Sequence, residues 1–301
     1  MPEIQPKVQH LTLFQRTPQW VLPKPDHSIP KIEENFFRLP FTLNAWRKML
    51  YGGFETFGIG FRKPALLRQI QKLGEAHIRL AIKDPALRAK LTPAYTLGCK
   101  RIMISNRYYP TFNRDNVELF TEGVKEVREN SIVFTDGSER EMDCLILGTG
   151  FIVDPRIYMK DFPITGLDGR KLQDDWADAS EAYLGITVHG FPNLFMLYGP
   201  NTNLGHNSII YMLESQIHYV QQCLAEMDEQ KLHSLEVRES VQARFNDNVQ
   251  RKISDTVWDK GCHSWYKTES GKNTNNWPGF TFDYRRQTQH LELSDYEYKA
   301  L

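Results

Sequence analysis

Apolar residues recur three and four positions apart through much of Ser28–Ala94, which is the spacing of amphipathic helices. The pattern is clear over Lys31–Phe37, and Asp84-Pro85 is a typical start of a further helix. The glycine pairs Gly52-Gly53 and Gly58-x-Gly60 interrupt this region, and we expect hinges there. The sequence therefore predicts a helical portion that spans roughly residues 28–98.

Outside this portion, short apolar runs and alternating patterns predict strands, and Asp136-Gly137 is a strong hairpin signal between two of them. The continuous run Cys144–Leu147 is typical of a parallel strand that is buried on both faces. Helices are predicted from Ile209 to about Met227 and from about Ser240 to Ile253. The predicted strands are Leu11–Phe14, Val124–Val127, Ser131–Thr135, Glu139–Asp143, Cys144–Leu147, Tyr183–Val188 and Leu194–Tyr198. The fold class that follows is α/β.

Composition narrows the class of protein further. A chain of 301 residues is long enough for about two domains. Lys+Arg and Asp+Glu both number 37, so the formal net charge is zero and a nucleic-acid partner is not expected. No apolar run approaches the ~20 residues of a membrane span, and no signal-peptide pattern opens the chain, so we expect a cytoplasmic protein. The four cysteines contain no CxxC pair and predict no metal site.

Two candidate ligand sites follow predicted strands. Gly148-Thr149-Gly150 comes directly after Cys144–Leu147, where open α/β sheets bind ligands, and glycines let a backbone approach a ligand closely. The same residues could form an ordinary glycine turn. Arg16 and Thr17 follow Leu11–Phe14, at the position where an arginine accommodates the 2′-phosphate of NADP in a dinucleotide-binding unit. A solvent-exposed arginine is the alternative.

Three further segments carry candidate chemistry. Lys100 and Arg101 enter an apolar segment, so they either face solvent or meet an anion. The Gly/Asn/Ser segment Gly199–Ser208 lies between a predicted strand and a predicted helix, which is the outline of an anion or cofactor site. His206 in it is either catalytic or a hydrogen-bonding residue. Trp265 could stack on a ring or cover the edge of the core.

Taken together, these segments resemble the carboxyl-terminal part of class B flavoprotein monooxygenases, specifically the type I Baeyer–Villiger monooxygenases. The resemblance extends from Pro2 to about Arg286, and several motifs at matching separations make it more specific than any one of them. The segments that carry it, in order, are Leu11–Trp20, Lys100-Arg101 with Tyr108–Val117, Gly148–Phe151, Gly199–His206 and Ser264–Tyr266.

The resemblance implies an incomplete pair of Rossmann-like dinucleotide-binding domains with a helical insertion. Residues 1–143 would be a partial NADPH-binding domain with the insertion at 28–98, and residues 144–301 the carboxyl-terminal part of an FAD-binding domain. The implied cofactors are FAD and NADPH. The implied reaction inserts one oxygen atom from O2 into a ketone through a C4a-peroxyflavin.

The resemblance also implies roles for single residues. Arg16 and Thr17 would hold the 2′-phosphate of NADPH with help from Lys100, and Arg101 would be the active-site arginine beside the flavin. Trp265 would hydrogen-bond the nicotinamide cofactor. The loop Gly199–Gly205, with Asn201, Leu204 and Gly205, would contact the isoalloxazine, and Thr149 and Gly150 would also contact a cofactor.

The sequence departs from the family at the phosphate-binding motifs. It contains no GxGxxG and no Phe-x-Gly-x-x-x-His-x-x-x-Trp signature. We therefore expect a truncated fragment that shows neither a flavin spectrum nor ketone-dependent NADPH oxidation on its own. A separately encoded amino-terminal half that completes both domains is a candidate partner. Oxidation of nitrogen or sulfur in place of a ketone, and a non-catalytic remnant that binds a partner chain, remain alternatives.

Overall fold

The computed structural model describes residues 1–152, 155–260 and 264–300. The α-helices, numbered in chain order, are α1 Lys31–Phe37, α2 Pro40–Arg62, α3 Pro64–Ala81, α4 Pro85–Leu91, α5 Tyr108–Thr111, α6 Pro155–Tyr158, α7 Leu172–Asp175, α8 Ile209–Glu229, α9 Glu239–Ile253, α10 Val257–Lys260 and α11 Thr281–Gln287. The strands are β1 Leu11–Phe14, β2 Val21–Leu22, β3 Met103–Ile104, β4 Val117–Phe120, β5 Val124–Val127, β6 Ser131–Phe134, β7 Glu139–Glu141, β8 Leu232–Val237 and β9 Tyr296–Ala300. The predicted α/β class is confirmed.

The chain forms two compact units. The first contains Met1–Ser28 and Leu67–Phe151, and the second contains Ile29–Leu66 and Ile152–Leu301. Both units are therefore assembled from segments that are far apart in sequence. No helix in the described part of the chain is long and apolar enough to cross a membrane.

The first unit contains two parallel strand pairs and a small antiparallel sheet. β1 pairs with β4 over Leu11–Phe14 and Val117–Phe120, and β2 pairs with β3. β5, β6 and β7 form the antiparallel sheet, in which Gly137 adopts a φ of +86° in the turn between β6 and β7. The predictions of β1, β5, β6, β7 and the hairpin are confirmed, whereas β2, β3 and β4 were not predicted from the sequence. The positive φ explains why glycine occupies the turn.

The helical region is confirmed, but the hinges predicted within it are wrong. α2 runs without a break from Pro40 to Arg62 through both glycine pairs. At Gly58 a glycine is needed for close packing, because a Cβ there would lie 2.6 Å from the ring of His206. The predicted start at Asp84 is confirmed, since its carboxylate accepts hydrogen bonds from the amides of Ala86 and Leu87 at the amino terminus of α4.

The core of the second unit is formed by α8, α9 and the antiparallel pair β8–β9. α8 contributes Tyr219 and Cys223, which pack with Val237 of β8 and Tyr296 of β9. A neighbouring cluster joins α8 and α9 to Trp277 and Tyr284. Both long helices lie within two residues of their predicted bounds. The buried faces of α8 and α9 therefore pack against residues from the segments before and after these helices.

Three predicted strands are absent from their positions. Cys144–Leu147 has no regular structure, and Leu147 is 73% exposed. A strand of that pattern needs neighbours on both sides, and no described strand pairs with it. Tyr183–Val188 forms only one bridge, since Leu184 and Gly185 have positive φ values.

The segment Leu194–Tyr198 is likewise not a strand. Met196 donates its amide hydrogen to the carbonyl of Ile186, and Tyr198 donates to the side chain of Gln216. A φ of +60° at Tyr198 turns the chain away from an extended course. The result is an irregular segment that leads into the glycine and asparagine loop.

Candidate cofactor site

The loop Gly199–Gly205 of the second unit is held by the segment Asn273–Trp277. Asn201 is buried and has a φ of +56°, a conformation that asparagine tolerates better than most residues. Its side-chain amide donates to the carbonyls of Asn273 at 2.8 Å and Asn276 at 3.1 Å. Its backbone amide donates to the carbonyl of Thr274 at 2.9 Å. Asn201 therefore defines the shape of the loop from inside.

Asn203 continues this pairing. Asn203 and Asn276 form a parallel bridge, and the amide of Trp277 donates to the carbonyl of Asn203 at 2.8 Å. The side chain of Asn203 donates to Asn276 Oδ1 and accepts from the hydroxyl of Tyr198, both at 2.9 Å. The side-chain oxygen and nitrogen of Asn203 are both used, so this part of the loop is a rigid support.

Leu204 and Gly205 anchor the end of the loop on the core. Leu204 is 6% exposed and packs with Met212 of α8 and Tyr284 of α11. A Cβ on Gly205 would lie 3.0 Å from the ring of Phe61 in α2. Leu204 thus has a packing role in this structure, whereas Gly205 is exposed.

A cavity of about 510 Å³ opens beside the beginning of this loop. Its size is within the usual range for small-molecule sites. Its apolar walls include Met159, Trp176, Met196 and Trp265, and its polar lining includes Asn203, Lys267, Thr268 and Asn275. Gly199 and Pro200 of the loop also line it. The arrangement suits a planar aromatic group with a polar edge.

Trp265 is the predicted site residue that the structure places in this cavity. Its ring lies 4.5 Å from the ring of Tyr266, centroid to centroid, and 46% of the residue is exposed. The side chain of Asn275 donates to the Trp265 carbonyl at 3.5 Å. Trp265 and the loop thus line the same cavity. Both contact the segment Asn273–Trp277, which also holds Asn201.

Arg16 and Thr17 lie immediately after β1 in the first unit, as predicted. Arg16 is exposed and Thr17 is half-buried. Among the described residues, no carboxylate forms an ion pair with Arg16. The preceding residue, Gln15, is held by the hydroxyl of Tyr108 at 3.0 Å. An accessible guanidinium beside a hydroxyl at the end of a parallel strand fits a phosphate group.

Lys100 and Arg101 precede β3 in the same unit. Lys100 places its ammonium nitrogen 5.0 Å from the centre of the Tyr95 ring, which is a cation–π contact. Arg101 is exposed and lies outside regular structure. Of the two alternatives that the sequence left open, Arg101 faces solvent in this unit by itself, whereas Lys100 is half-buried against Tyr95.

Thr149 and Gly150 lie in the irregular, exposed segment that follows β7. Gly150 has a φ of +98°, and no atom lies within 4 Å of the position that a Cβ would occupy. The backbone there is open to an approaching ligand, but within this unit nothing packs on it.

One cluster of the second unit was not predicted as a site. Glu55 of α2 is 6% exposed and accepts hydrogen bonds from Thr281 and Asn207. His206 Nε2 lies 3.8 Å from Glu55, and neither ring nitrogen of His206 has a hydrogen-bond partner. The sequence offered one signal for this site, which is that Glu55 is a polar residue at a helical position where the pattern predicts an apolar one. No group of three or more potential metal ligands occurs among the residues that the structure describes.

The burial of His206 gives a pH-dependent stability. Burial lowers the pKa of His206, the nearby Glu55 carboxylate raises it, and Arg62 lowers it, so that the net pKa is below the ordinary value. A proton then binds the unfolded chain more readily than the folded chain. We expect the free energy of unfolding to fall as the pH drops below about 6.5, the ordinary histidine pKa.

Urea unfolding of the wild-type chain and of His206→Asn, measured between about pH 7.5 and pH 5.5, checks this expectation. The stability of the variant should depend less on pH than that of the wild type. An equal dependence in both proteins, or a wild type that is more stable at the lower pH, would contradict it.

Relatives with curated names share sequence along almost the whole chain. A Baeyer–Villiger monooxygenase of Pseudomonas aeruginosa is 48% identical over 300 residues, which are 98% of this chain and 56% of the relative. A Baeyer–Villiger monooxygenase of Streptomyces coelicolor is 42% identical over 99% of this chain and 58% of its own length. The chain thus spans little more than half of these relatives. No protein-family model matches it.

Solved structures share the fold. An oxidized steroid monooxygenase bound to NADP superposes with a TM-score of 0.82 at 23% identity, over 100% of this chain and 64% of that one. OTEMO in complex with FAD and NADP superposes with a TM-score of 0.84 at 21% identity, over 99% of this chain and 64% of the other. At these sequence identities the similarity shows a shared fold alone.

The named relatives confirm the resemblance to Baeyer–Villiger monooxygenases that the sequence motifs indicated. Over the part of these enzymes that it spans, the chain is similar in sequence to Baeyer–Villiger monooxygenases.

Proposed function

We propose that this chain is part of an FAD- and NADPH-dependent monooxygenase of the Baeyer–Villiger type, which inserts one oxygen atom from O2 into a ketone. The observation that carries the proposal is the 48% identity to a Baeyer–Villiger monooxygenase over 98% of the chain. Residues 1–143 would contribute to the NADPH-binding domain, and residues 144–301 would be the carboxyl-terminal part of the FAD-binding domain.

The cavity of the second unit supports a flavin site. An isoalloxazine ring is flat and apolar along most of its surface, with amide groups at one edge. The walls at Met196 and Trp265 match the flat surface, and Asn203, Lys267 and Asn275 supply polar groups. We assign contacts with the ring to the loop that contains Asn201, Leu204 and Gly205. In that loop Asn201 and Leu204 act mainly by holding the backbone in place.

The first unit supports recognition of NADPH. Arg16 and Thr17 would hold the 2′-phosphate through charge-assisted hydrogen bonds, and Lys100 would add positive charge. Arg101 would supply a fixed positive charge in the active site, and Thr149 with Gly150 would let a cofactor approach the backbone. Trp265 would donate a hydrogen bond to the nicotinamide cofactor through its indole N–H.

The chain's own residues position the reactants in this proposal. A bound flavin supplies the redox chemistry with O2. The protein binds both cofactors, orients them and provides the apolar walls that exclude water from the ring. Because the chain spans 56% of the Pseudomonas aeruginosa relative, these functions also draw on parts of such enzymes that it does not cover.

The proposal is tested with a chimaera that joins this chain to the part of the Pseudomonas aeruginosa relative that it does not span. The chimaera should purify with the visible absorbance of bound flavin and should consume NADPH faster when a ketone is added. Trp265→Ala should weaken flavin or nicotinamide binding, whereas Trp258→Phe, which alters a buried indole that stacks on Phe61, should not.

A folded chimaera without flavin would contradict the proposal. So would NADPH consumption that responds to amines or sulfides but never to ketones, which would favour oxidation of nitrogen or sulfur. The chain alone, examined in parallel, is expected to lack the visible absorbance of stoichiometric flavin.

A further inference from the structure

Glu55 is the charged residue within the buried set of the described chain. A buried carboxylate is costly unless hydrogen bonds replace its water. Glu55 receives such bonds from the hydroxyl of Thr281 at 2.6 Å, from the amide of Thr281 at 3.3 Å, and from the side-chain amide of Asn207. One carboxylate thus connects three segments of the second unit, which are α2, the first residue of α11 and the end of the asparagine loop.

These donors are neutral. The Nε2 atom of His206 is 3.8 Å away, and no described lysine or arginine forms an ion pair with Glu55. A buried charge held only by neutral donors is weak evidence for stability, because an apolar residue of the same size would avoid the desolvation cost. The arrangement is better explained by the geometry that it imposes on its donors.

The packing next to Glu55 has the same effect. A Cβ on Gly58 of α2 would lie 2.6 Å from Cδ2 of His206, and a Cβ on Gly205 would lie 3.0 Å from Phe61. One glycine from each segment therefore allows α2 and the loop to touch at backbone distance. The hydroxyl of Tyr51, one turn before Glu55, also contacts the Thr281 hydroxyl at 2.8 Å. The end of the loop thus contacts α2 in one region, and Glu55 lies at the centre of this contact.

We propose that Glu55 is a positioning residue that fixes the end of the Gly199–Asn207 loop against α2 and α11. The flavin-facing part of this inference rests on the proposed function, in which the same loop contacts the isoalloxazine. The helix α2, which belongs to the part of the second unit that comes first in the sequence, then has a defined role. It sets the position of a cofactor loop that lies about 150 residues further along the chain.

The test is hydrogen exchange of the loop in the 301-residue chain without cofactor, so its outcome does not depend on flavin binding. The hydroxyl of Thr281 and the side-chain amide of Asn207 both donate to the same oxygen, Glu55 Oε1. Glu55→Leu keeps the approximate size of the side chain and removes this acceptor. We expect the amides of residues 199–208 to exchange about tenfold faster, which corresponds to the loss of about one hydrogen bond.

Glu55→Gln supplies the rescue. With its amide oxygen at the position of Oε1 it still accepts from Thr281 and Asn207, and it should return most of the protection. The matched control is Glu236→Leu. The Glu236 side chain is 12% exposed, lies 3.1 Å from His189 and accepts from the amide of Gly190. It should leave residues 199–208 unchanged.

Unchanged exchange in folded Glu55→Leu would overturn the proposal, as would an equal effect of Glu236→Leu on the loop. If Glu55→Leu does not fold, Asn207→Ala decides, because it removes the donor that the loop contributes to Glu55. Faster exchange of residues 199–208 in that variant supports the proposal, and unchanged exchange overturns it. A flavin-free chimaera, by contrast, would contradict the proposed function and leave these results intact.

Discussion

Asn201→Ala is expected to lower the free energy of unfolding of the second unit by about 3 kcal/mol. The change removes the side-chain donor to the buried carbonyl of Asn276 and one of two side-chain donors to that of Asn273, which also accepts from Gln250. An unsatisfied buried carbonyl costs ~1–3 kcal/mol, a further lost hydrogen bond costs ~1 kcal/mol, and alanine is strained by ~1 kcal/mol at the positive φ of this position. Urea unfolding with intrinsic fluorescence measures the difference.

Two variants separate these causes. Asn201→Gly keeps the left-handed backbone free of strain but still lacks the donors, so it should retain most of the loss. Asp168→Gly alters an exposed residue with a φ of +53°. Its effect should be clearly smaller. Equal stability of Asn201→Gly and the wild type would show that the two hydrogen bonds contribute little.

Arg16→Ala is expected to weaken NADPH binding to the chimaera by about 100-fold and to change NADH binding little. The reason is that only NADPH carries the 2′-phosphate, and a charge-assisted hydrogen-bonded pair contributes ~1.5–3 kcal/mol. Titration of each reduced nucleotide against the flavin-bound, ketone-free chimaera gives both dissociation constants.

Arg16→Lys and Arg114→Ala are the controls. The lysine variant keeps the charge but not the planar fork, so its loss should be intermediate. Arg114 is an exposed arginine of the same unit that lies beyond α5, and its replacement should change neither affinity. A parallel loss of NADH and NADPH binding in Arg16→Ala would remove Arg16 from the 2′-phosphate site.

Local sequence patterns predicted those elements whose backbone hydrogen bonds are formed within the element itself. α8 and α9 have long periodic stripes, and the β6–β7 hairpin has its turn signal at Asp136-Gly137. Cys144–Leu147 failed for the opposite reason, because a strand buried on both faces depends on partners that its own residues do not specify. Leu194–Tyr198 failed because side chains remote in sequence, such as Gln216, bind its backbone.

The residues of the candidate site also divide into those that the sequence indicated and those that only the fold brings together. Glycine and asparagine at positions 199–205 marked the loop in the sequence, and Trp265 was marked by an aromatic motif. The four residues Asn273–Asn276 that hold the loop are joined to it only by the fold. Glu55 was hidden inside a helical pattern, where a single acidic residue normally faces solvent. The roles assigned to the predicted site residues, including Arg16, Arg101 and Trp265, remain predictions.

Oxygen-18 labelling tests the proposed reaction most directly. The chimaera, supplied with FAD, NADPH and a ketone under 18O2, should form an ester or lactone that carries one labelled atom. The label should sit at the ring or ester oxygen next to the migrated carbon and be absent when the ketone or NADPH is left out. Unlabelled product, or labelled N-oxide or sulfoxide with no labelled ester from any ketone, would contradict the account.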